Sequence, residues 1–228
     1  MSALFETLRI RDGRIAFLDQ HVARLEASCV ALGINPLAPG LGERIHALVK
    51  ATDVVVRVTL DGAERIETRP VPAESSVRTV FSGTQHRAYP HKTTDRAFFD
   101  QARARVVPYR ADEVILLTEA GLLAEGCISS VFFWLGSTLC TPSLDLGILP
   151  GVGRARVLEL AAGRGITIQE GHFTKAEVQG LPLFLVNSVR GIMETTRHGD
   201  WRSPRGDDRT RLLADGFWGP VEAQAGRY

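Results

Sequence analysis

An excess of charge of either sign is missing from this chain. Its 228 residues carry 27 lysines and arginines against 26 aspartates and glutamates, a net charge of +1, which excludes the broad basic surface that nucleic acid or an anionic membrane requires. Paired cysteines are missing too. Cys29, Cys127 and Cys140 are an odd number, widely spaced, with no C-x-x-C unit, so neither a disulfide framework nor a metal site is expected, and a reducing cytoplasm suits the chain. No apolar run approaches the ~18 residues that span a bilayer. Charges begin at Glu6, so neither a signal peptide nor an anchor is expected. Lysine is scarce: Lys50, Lys92 and Lys175 are the only three among the 27 basic residues. What is present is an ordinary globular composition, 44% hydrophobic, enough for one large or two small domains with a buried core.

The chain opens on a sheet pattern. "LFETLRI", "RDGR" and "IAFL" predict a hairpin turning at Asp12-Gly13. From Asp19, an N-cap candidate, apolar residues recur at three- and four-residue steps (Val22, Leu25, Cys29, Leu32) until Gly33, which predicts an amphipathic helix with Cys29 in the core. A second helix over 42–51 leads to two strands joined at Asp61-Gly62. The polar, proline-containing "SGTQHRAYPHKTTD" then reads as a connection. Beyond it a helix is predicted over 96–106, a strand in "DEVILLTEAG" and a hairpin in "ISSVFFWLGSTLCT". A helix in "GRARVLELAAGRG", strands in "ITIQEGHF" and "LPLFLVNSV" and a last helix in "DDRTRLLADGFW" complete the pattern.

"GILPGVGRAR" resembles the glycine fingerprint of dinucleotide sites, which needs G-x-G-x-x-G directly after a buried strand. Gly151 and Gly153 match, but the third position is Arg156, and the preceding "TPSLDLGILP" holds two prolines, which a central strand does not tolerate. A glycine-rich helix start still suits the phosphate of a smaller molecule, through backbone N–H groups and the positive end of the helix dipole.

Four stretches, "HVARLEASCVALGI", "HKTTDR", "LLAEGCISSVFF" and "LDLGILPGVGRARVLELA", followed by "LFLVNSVRGI", resemble in order and spacing the class IV aminotransferases, which use pyridoxal 5′-phosphate. Within that family the chain looks most like the 4-amino-4-deoxychorismate lyase group. The resemblance runs from about Leu4 to Glu194. It implies an α+β, two-domain fold type IV enzyme of the D-amino acid aminotransferase-like kind, with a shortened N-terminus. The expected division is a small α+β domain over 1–86, a connection over 87–92 and a larger α+β domain over 93–228, with the cofactor in the cleft between the domains and a homodimer as the assembly. The implied reaction releases pyruvate and 4-aminobenzoate from 4-amino-4-deoxychorismate. The alternatives are a class IV aminotransferase acting on a branched-chain, D-amino acid or other amine donor, and a protein that binds the cofactor without turnover.

The resemblance also assigns roles. Lys92 matches the lysine that condenses with the cofactor aldehyde, a task for a primary amine that is neutral near pH 7 and can move a proton at the substrate carbon. Glu125 matches the carboxylate that keeps the pyridine nitrogen protonated. Arg24 matches the phosphate-binding arginine, and His21, one turn earlier, lines the same face. The phosphate is expected on Val152 and Gly153 and on the turn at Ser188 and Val189. Threonine often stands in relatives where this chain has Gly153, so a threonine there is expected to add a donor and tighten cofactor binding. Phe5, Glu6 and Thr7 fall where the first strand faces the pocket, and Arg87 and Arg190 are the expected partners of a substrate carboxylate.

Overall fold

The period-two pattern of the first residues becomes a strand whose two faces differ in chemistry. The computed structural model describes residues 2–73, 77–106, 108, 111–198 and 207–219. By contacts the chain divides into two units: Met1–Glu74 with Tyr89–Ala97 and Ser188–Arg190, and Ser75–Ala88 with Phe98–Asn187 and Gly191–Tyr228.

In the first unit, β1 (Leu4–Arg11) turns into β2 (Arg14–Ile15) through Asp12 and Gly13, both at positive φ (49° and 75°), the hairpin geometry that Asp-Gly favours. The second strand is shorter than the sequence suggests. Phe17 takes a left-handed φ of 56° and becomes the residue before α1 (Leu18–Leu32). Asp19 therefore lies inside the first helical turn, where its charge meets the positive end of the dipole. Gly33 ends the helix at φ 63°, as its position predicts. Then come α2 (Leu41–Leu48), β3 (Val54–Leu60) and β4 (Glu64–Arg69), giving an antiparallel sheet in the order β2-β1-β3-β4. Leu4, Leu8 and Ile10 of β1, with Val54, Val56 and Val58 of β3, pack on Leu25 and Cys29 of α1 and Ile45 of α2. The register pairs Phe5 with Thr59, Thr7 with Arg57 and Arg9 with Val55, so these residues share the opposite face.

The second unit holds β5 (Val77–Gln85), α3 (Ala97–Val106), β6 (Glu113–Leu117), β7 (Leu123–Gly126), β8 (Ser130–Leu135) and β9 (Thr138–Pro142). After a 3-10 turn at Leu144–Leu146 follow α4 (Val152–Gly163), β10 (Ile168–Gly171), α5 (Lys175–Val178), β11 (Leu183–Asn187), β12 (Gly191–His198) and α6 (Asp208–Phe217). Eight strands join in the order β10-β9-β8-β11-β12-β5-β6-β7. Strand β5 runs into what the sequence suggests is a connection. Its partners are β6 and β12, both parallel to it and distant in sequence. The boundaries expected from sequence, 1–86, 87–92 and 93–228, thus divide the chain differently from its contacts, because β5 joins the second sheet while Tyr89–Ala97 and Ser188–Arg190 join the first unit.

No helix among the described residues is long and apolar enough to cross a membrane. The C-terminal helix α6 is fixed to its unit by polar contacts. Arg156 donates to the carbonyls of Phe217 (3.1 Å), Gly216 (2.9 Å) and Gly219 (3.1 Å), which offsets the negative end of the helix. The buried Trp134 indole donates to Thr210 Oγ1 at 2.8 Å. Thr210→Val removes that acceptor and strands a buried N–H, so it is expected to destabilise the protein by about 1–3 kcal/mol, measured by urea unfolding. An unchanged midpoint would mean the indole N–H finds another acceptor.

Candidate active site

Glu6 sits on the core face of β1, only 1% exposed. The chain surrounds it with donors. His21 Nδ1 lies 2.7 Å from Oε2, and Arg24 donates through Nε to Oε1 at 2.7 Å and through Nη2 to Oε2 at 2.6 Å. Burial pushes Glu6 up, but the charge of Arg24 and the hydrogen bonds from Arg24 and His21 outweigh it and hold the carboxyl well below the usual range. Burial pushes His21 down, so the ring is neutral, its Nδ1–H donates to Glu6, and its Nε2 is a buried acceptor without a partner. The expected pocket trio is therefore split. Phe5 and Thr7 share one face of β1, while Glu6 points to α1, because successive strand residues alternate. The Nε edge of Arg24, expected to meet a phosphate, is occupied by Glu6.

Lys92 lies along the opposite edge of β1. The Phe5 N–H donates to the Lys92 carbonyl (2.9 Å), the Thr94 N–H donates to the Ala3 carbonyl (2.8 Å), and Leu4 bridges Thr93. That ladder sets the Lys92 Nζ 4.7 Å from the centre of the Phe5 ring. Ser188 and Val189 reach the same strand. The Ser188 hydroxyl donates to the Thr7 carbonyl at 3.2 Å, and the Val189 carbonyl accepts from Arg9 Nη1 at 3.1 Å. Arg190 is half-buried in this unit. Lys92, Phe5, Thr7, Ser188 and Val189 are thus brought together within one unit.

In the second unit Glu125, on β7, is buried. His86 Nε2 lies 2.9 Å from its Oε1, and the Leu149 N–H donates to both oxygens at 3.3–3.4 Å. A loop ahead of α4 is thereby tied to the carboxylate. The turn after Glu125 is closed by a second buried acid: Glu113 accepts from the N–H groups of Val114 (3.0 Å) and Ile128 (3.2 Å) and from Ser129 Oγ (3.1 Å). Burial still pushes the Glu113 carboxyl up. Ser129 Oγ also accepts from Asn187 Nδ2 at 3.4 Å. Arg87, expected near a substrate carboxylate, is exposed in this unit.

Helix α4 starts at Val152 behind Gly151, with no capping side chain and no acidic residue in its first turn. Its first N–H groups therefore have no side-chain acceptor, the arrangement that suits an anion. A Cβ on Gly153 would lie 2.9 Å from the carbonyl carbon of Asn187 and 3.0 Å from its Cα. Both are backbone atoms, so the expectation that threonine fits there and adds a donor is corrected: the helix start is packed too closely on the end of β11.

The family model described as amino-transferase class IV matches residues 3–197. The chain belongs to that family. Its enzymes depend on pyridoxal phosphate, and the chain is accordingly an enzyme of class IV. It is 28% identical to an aminodeoxychorismate lyase of Bacillus subtilis, over 85% of this chain and 76% of that protein. In structure it resembles a branched-chain aminotransferase of the archaeon Thermoproteus uzoniensis solved with norvaline (TM-score 0.83, 21% identity, 95% of this chain and 84% of that one). It also resembles the PLP-bound form of a hypothetical aminotransferase from Mycobacterium tuberculosis (TM-score 0.81, 21% identity, 95% of this chain and 88% of that one). These likenesses establish the α+β, fold type IV architecture that the motifs imply.

Sequence reasoning does not single out His86 and Asn187, which meet Glu125 and Ser129 from distant parts of the chain, or Glu113 and Ser129, which meet at the turn after β7. The direction of Glu6 was legible in the alternation of β1.

Two outcomes follow from these contacts. The unfolded chain binds more protons than the folded one below the ordinary values of Glu6 and His21, so stability falls as pH drops from neutral through 6.5 and 4.5. Glu6→Gln is expected to cost about 3–5 kcal/mol at pH 7 and to flatten the loss below pH 4.5 in pH-dependent denaturant titrations; an unchanged acid slope would remove Glu6 as its source. Gly153→Thr is expected to destabilise the fold by about 1–3 kcal/mol and to weaken, not tighten, uptake of pyridoxal phosphate measured by absorbance titration.

Proposed function

We propose that this class IV enzyme binds pyridoxal 5′-phosphate and acts as a 4-amino-4-deoxychorismate lyase, releasing pyruvate and 4-aminobenzoate. The observation that carries the reading is the identity to the Bacillus subtilis lyase, which runs through most of the chain. A two-chain assembly in the cytoplasm, implied by the family resemblance, belongs to the same proposal.

The residues present fit the cofactor. The uncapped start of α4, with no acid in its first turn, offers N–H donors to a phosphate at Val152 and Gly153. Glu125 is a buried carboxylate held in one orientation by His86 and the Leu149 N–H. By the family resemblance, Ser188 and Val189 as the second phosphate turn and Arg24 as a phosphate-binding arginine belong to the same proposal. When bound, the cofactor supplies an aldehyde and a ring that draws electrons from the carbon bearing the substrate nitrogen. Lys92 provides the amine that takes a proton from that carbon and returns it. The Glu125 carboxylate, fixed by its two donors, holds a proton on the pyridine nitrogen.

Transamination is the second reading, favoured by the fold likeness to the Thermoproteus uzoniensis aminotransferase. The two part in their products. Purified protein supplied with pyridoxal phosphate is expected to turn yellow and to lose the band with borohydride. Lys92→Ala abolishes the band and lowers turnover by at least about 10²-fold, whereas Glu125→Ala lowers turnover more than cofactor affinity. Pyruvate and 4-aminobenzoate appearing together support the lyase; amine transfer to a keto acid without them supports the transaminase, and a protein that takes up no cofactor sinks both.

A further inference from the structure

A hydroxyl without a partner stands beside the open start of α4. Val131 and Phe133 of β8 point into the core of the second unit with Leu183 and Leu185 of β11. Ser130, Phe132 and Trp134, with Phe184 and Val186, therefore take the other face of the sheet. Phe132 stacks on Phe184 at 5.3 Å, and Trp134 reaches α6. Val186, paired with Ser130 in the register, meets the start of α4: a Cβ on Gly153 would lie 3.1 Å from its Cγ2. A Cβ on Gly151 would lie 2.7 Å from Ser130 Oγ and 3.7 Å from the Arg154 backbone nitrogen. The Ser130 hydroxyl thus fills the place of a side chain capping α4 at Gly151.

Ser130 is only 7% exposed, yet its hydroxyl makes no hydrogen bond among the described residues. Other buried hydroxyls of this unit are bonded. Ser129 donates to Glu113, Thr141 to the Val131 carbonyl and Thr195 to the Leu183 carbonyl, while Thr210 accepts from Trp134. A buried hydroxyl left unpaired costs free energy until a ligand pairs with it. The charged side chain of the same helical turn does not compete for the place. Arg154 Nη2 donates to the Pro142 carbonyl at 3.1 Å and pairs with Glu170, and its Nε is sealed in the interior. No acid stands in the first turn of α4 to repel an anion.

We infer that Ser130 is a phosphate-binding residue, its O–H donating to a phosphate monoester seated on the N–H groups at the start of α4. That the monoester is the cofactor rests on the proposed function; the anion site does not. A hydroxyl that donates to an anionic oxygen makes a charge-assisted bond, and this O–H is free to turn toward it. Gly153 is packed too closely on β11 to be replaced by a residue with a donor of its own. Strand β8 supplies that donor from the neighbouring face instead. Sequence reasoning places the phosphate on Val152, Gly153, Ser188 and Val189 and does not single out Ser130.

The test is absorbance titration with pyridoxal phosphate and with pyridoxal, which lacks the phosphate, beside calorimetric titration with inorganic phosphate. Ser130→Ala is expected to weaken pyridoxal phosphate and inorganic phosphate by about tenfold each and to leave pyridoxal within about twofold of the parent protein. Ser130→Thr, which keeps the hydroxyl, should retain most of the preference for the phosphorylated form. Gly151→Ala, whose Cβ crowds the hydroxyl, should weaken both phosphates as Ser130→Ala does and add no further loss when the two are combined. The inference is overturned if Ser130→Ala, shown by thermal melting to be folded, binds both phosphates as the parent does. It is equally overturned if pyridoxal weakens as much as pyridoxal phosphate, because the hydroxyl would then serve packing alone, or if the losses at Ser130 and Gly151 add. A parent protein that takes up no pyridoxal phosphate but binds inorganic phosphate through Ser130 sinks the proposed function alone, and one that binds neither sinks both.

Discussion

A carboxylate buried in a hydrophobic layer must be paired, and the first unit is organised around one. Glu6 stands in β1 among Leu4, Leu8 and Ile10, and α1 answers it with His21 and Arg24 on one side of the helix. The pairing locks the register of the strand. A slip by one residue would turn Phe5, Thr7 and Arg9 into the core and leave Glu6 without donors, a cost far larger than the loss of any single apolar contact. With Glu6 held on the core face, Phe5 and Thr7 must occupy the other, beside Lys92 and Arg57.

The second unit repeats the device with different partners. Glu125 is oriented by His86 and the Leu149 N–H, and Glu113 fills the turn that follows. That turn also depends on a glycine: a Cβ on Gly126 would lie 3.0 Å from the Ser129 carbonyl and 3.3 Å from the Glu113 side chain. Ser129 connects the acid to Asn187, and Asn187 is the backbone against which Gly153 packs. The Glu125 carboxylate is therefore held by His86 and Leu149, while the start of α4 packs on the strand end that Ser129 and Glu113 hold by their own hydrogen bonds. Such contacts favour a rigid site over a merely stable one.

The family and its fold follow from comparison, whereas the reaction turns on chemistry that lyase and transaminase share up to a late step. Both need a neutral amine, a protonated ring nitrogen and an anchored phosphate. In this chain the surface around Phe5 is cationic, with Arg57 coming from β3 and Lys92 and Arg96 from the "HKTTDR" stretch.

The features legible in the sequence are local. Asp12-Gly13 and Gly62 turn their hairpins at positive φ, Gly33 stops α1, Cys29 lies in the core, and the ordered motifs carry the family and its fold. Each depends on neighbours within a few residues, where backbone sterics and side-chain period decide the outcome. Strand β7, only four residues long, shows no period of its own although its partner β6 is its neighbour in sequence. Strands β5 and β12 were not legible, and neither were the domain limits, because those two strands pair with each other from distant parts of the chain. The same holds for the contacts of Ser188 and Val189 with Thr7 and Arg9, about 180 residues away. Residue order sets which groups are available and where the chain turns. Which acid meets which base is settled by packing, since burial makes a charge depend on every group around it, whatever its distance along the chain.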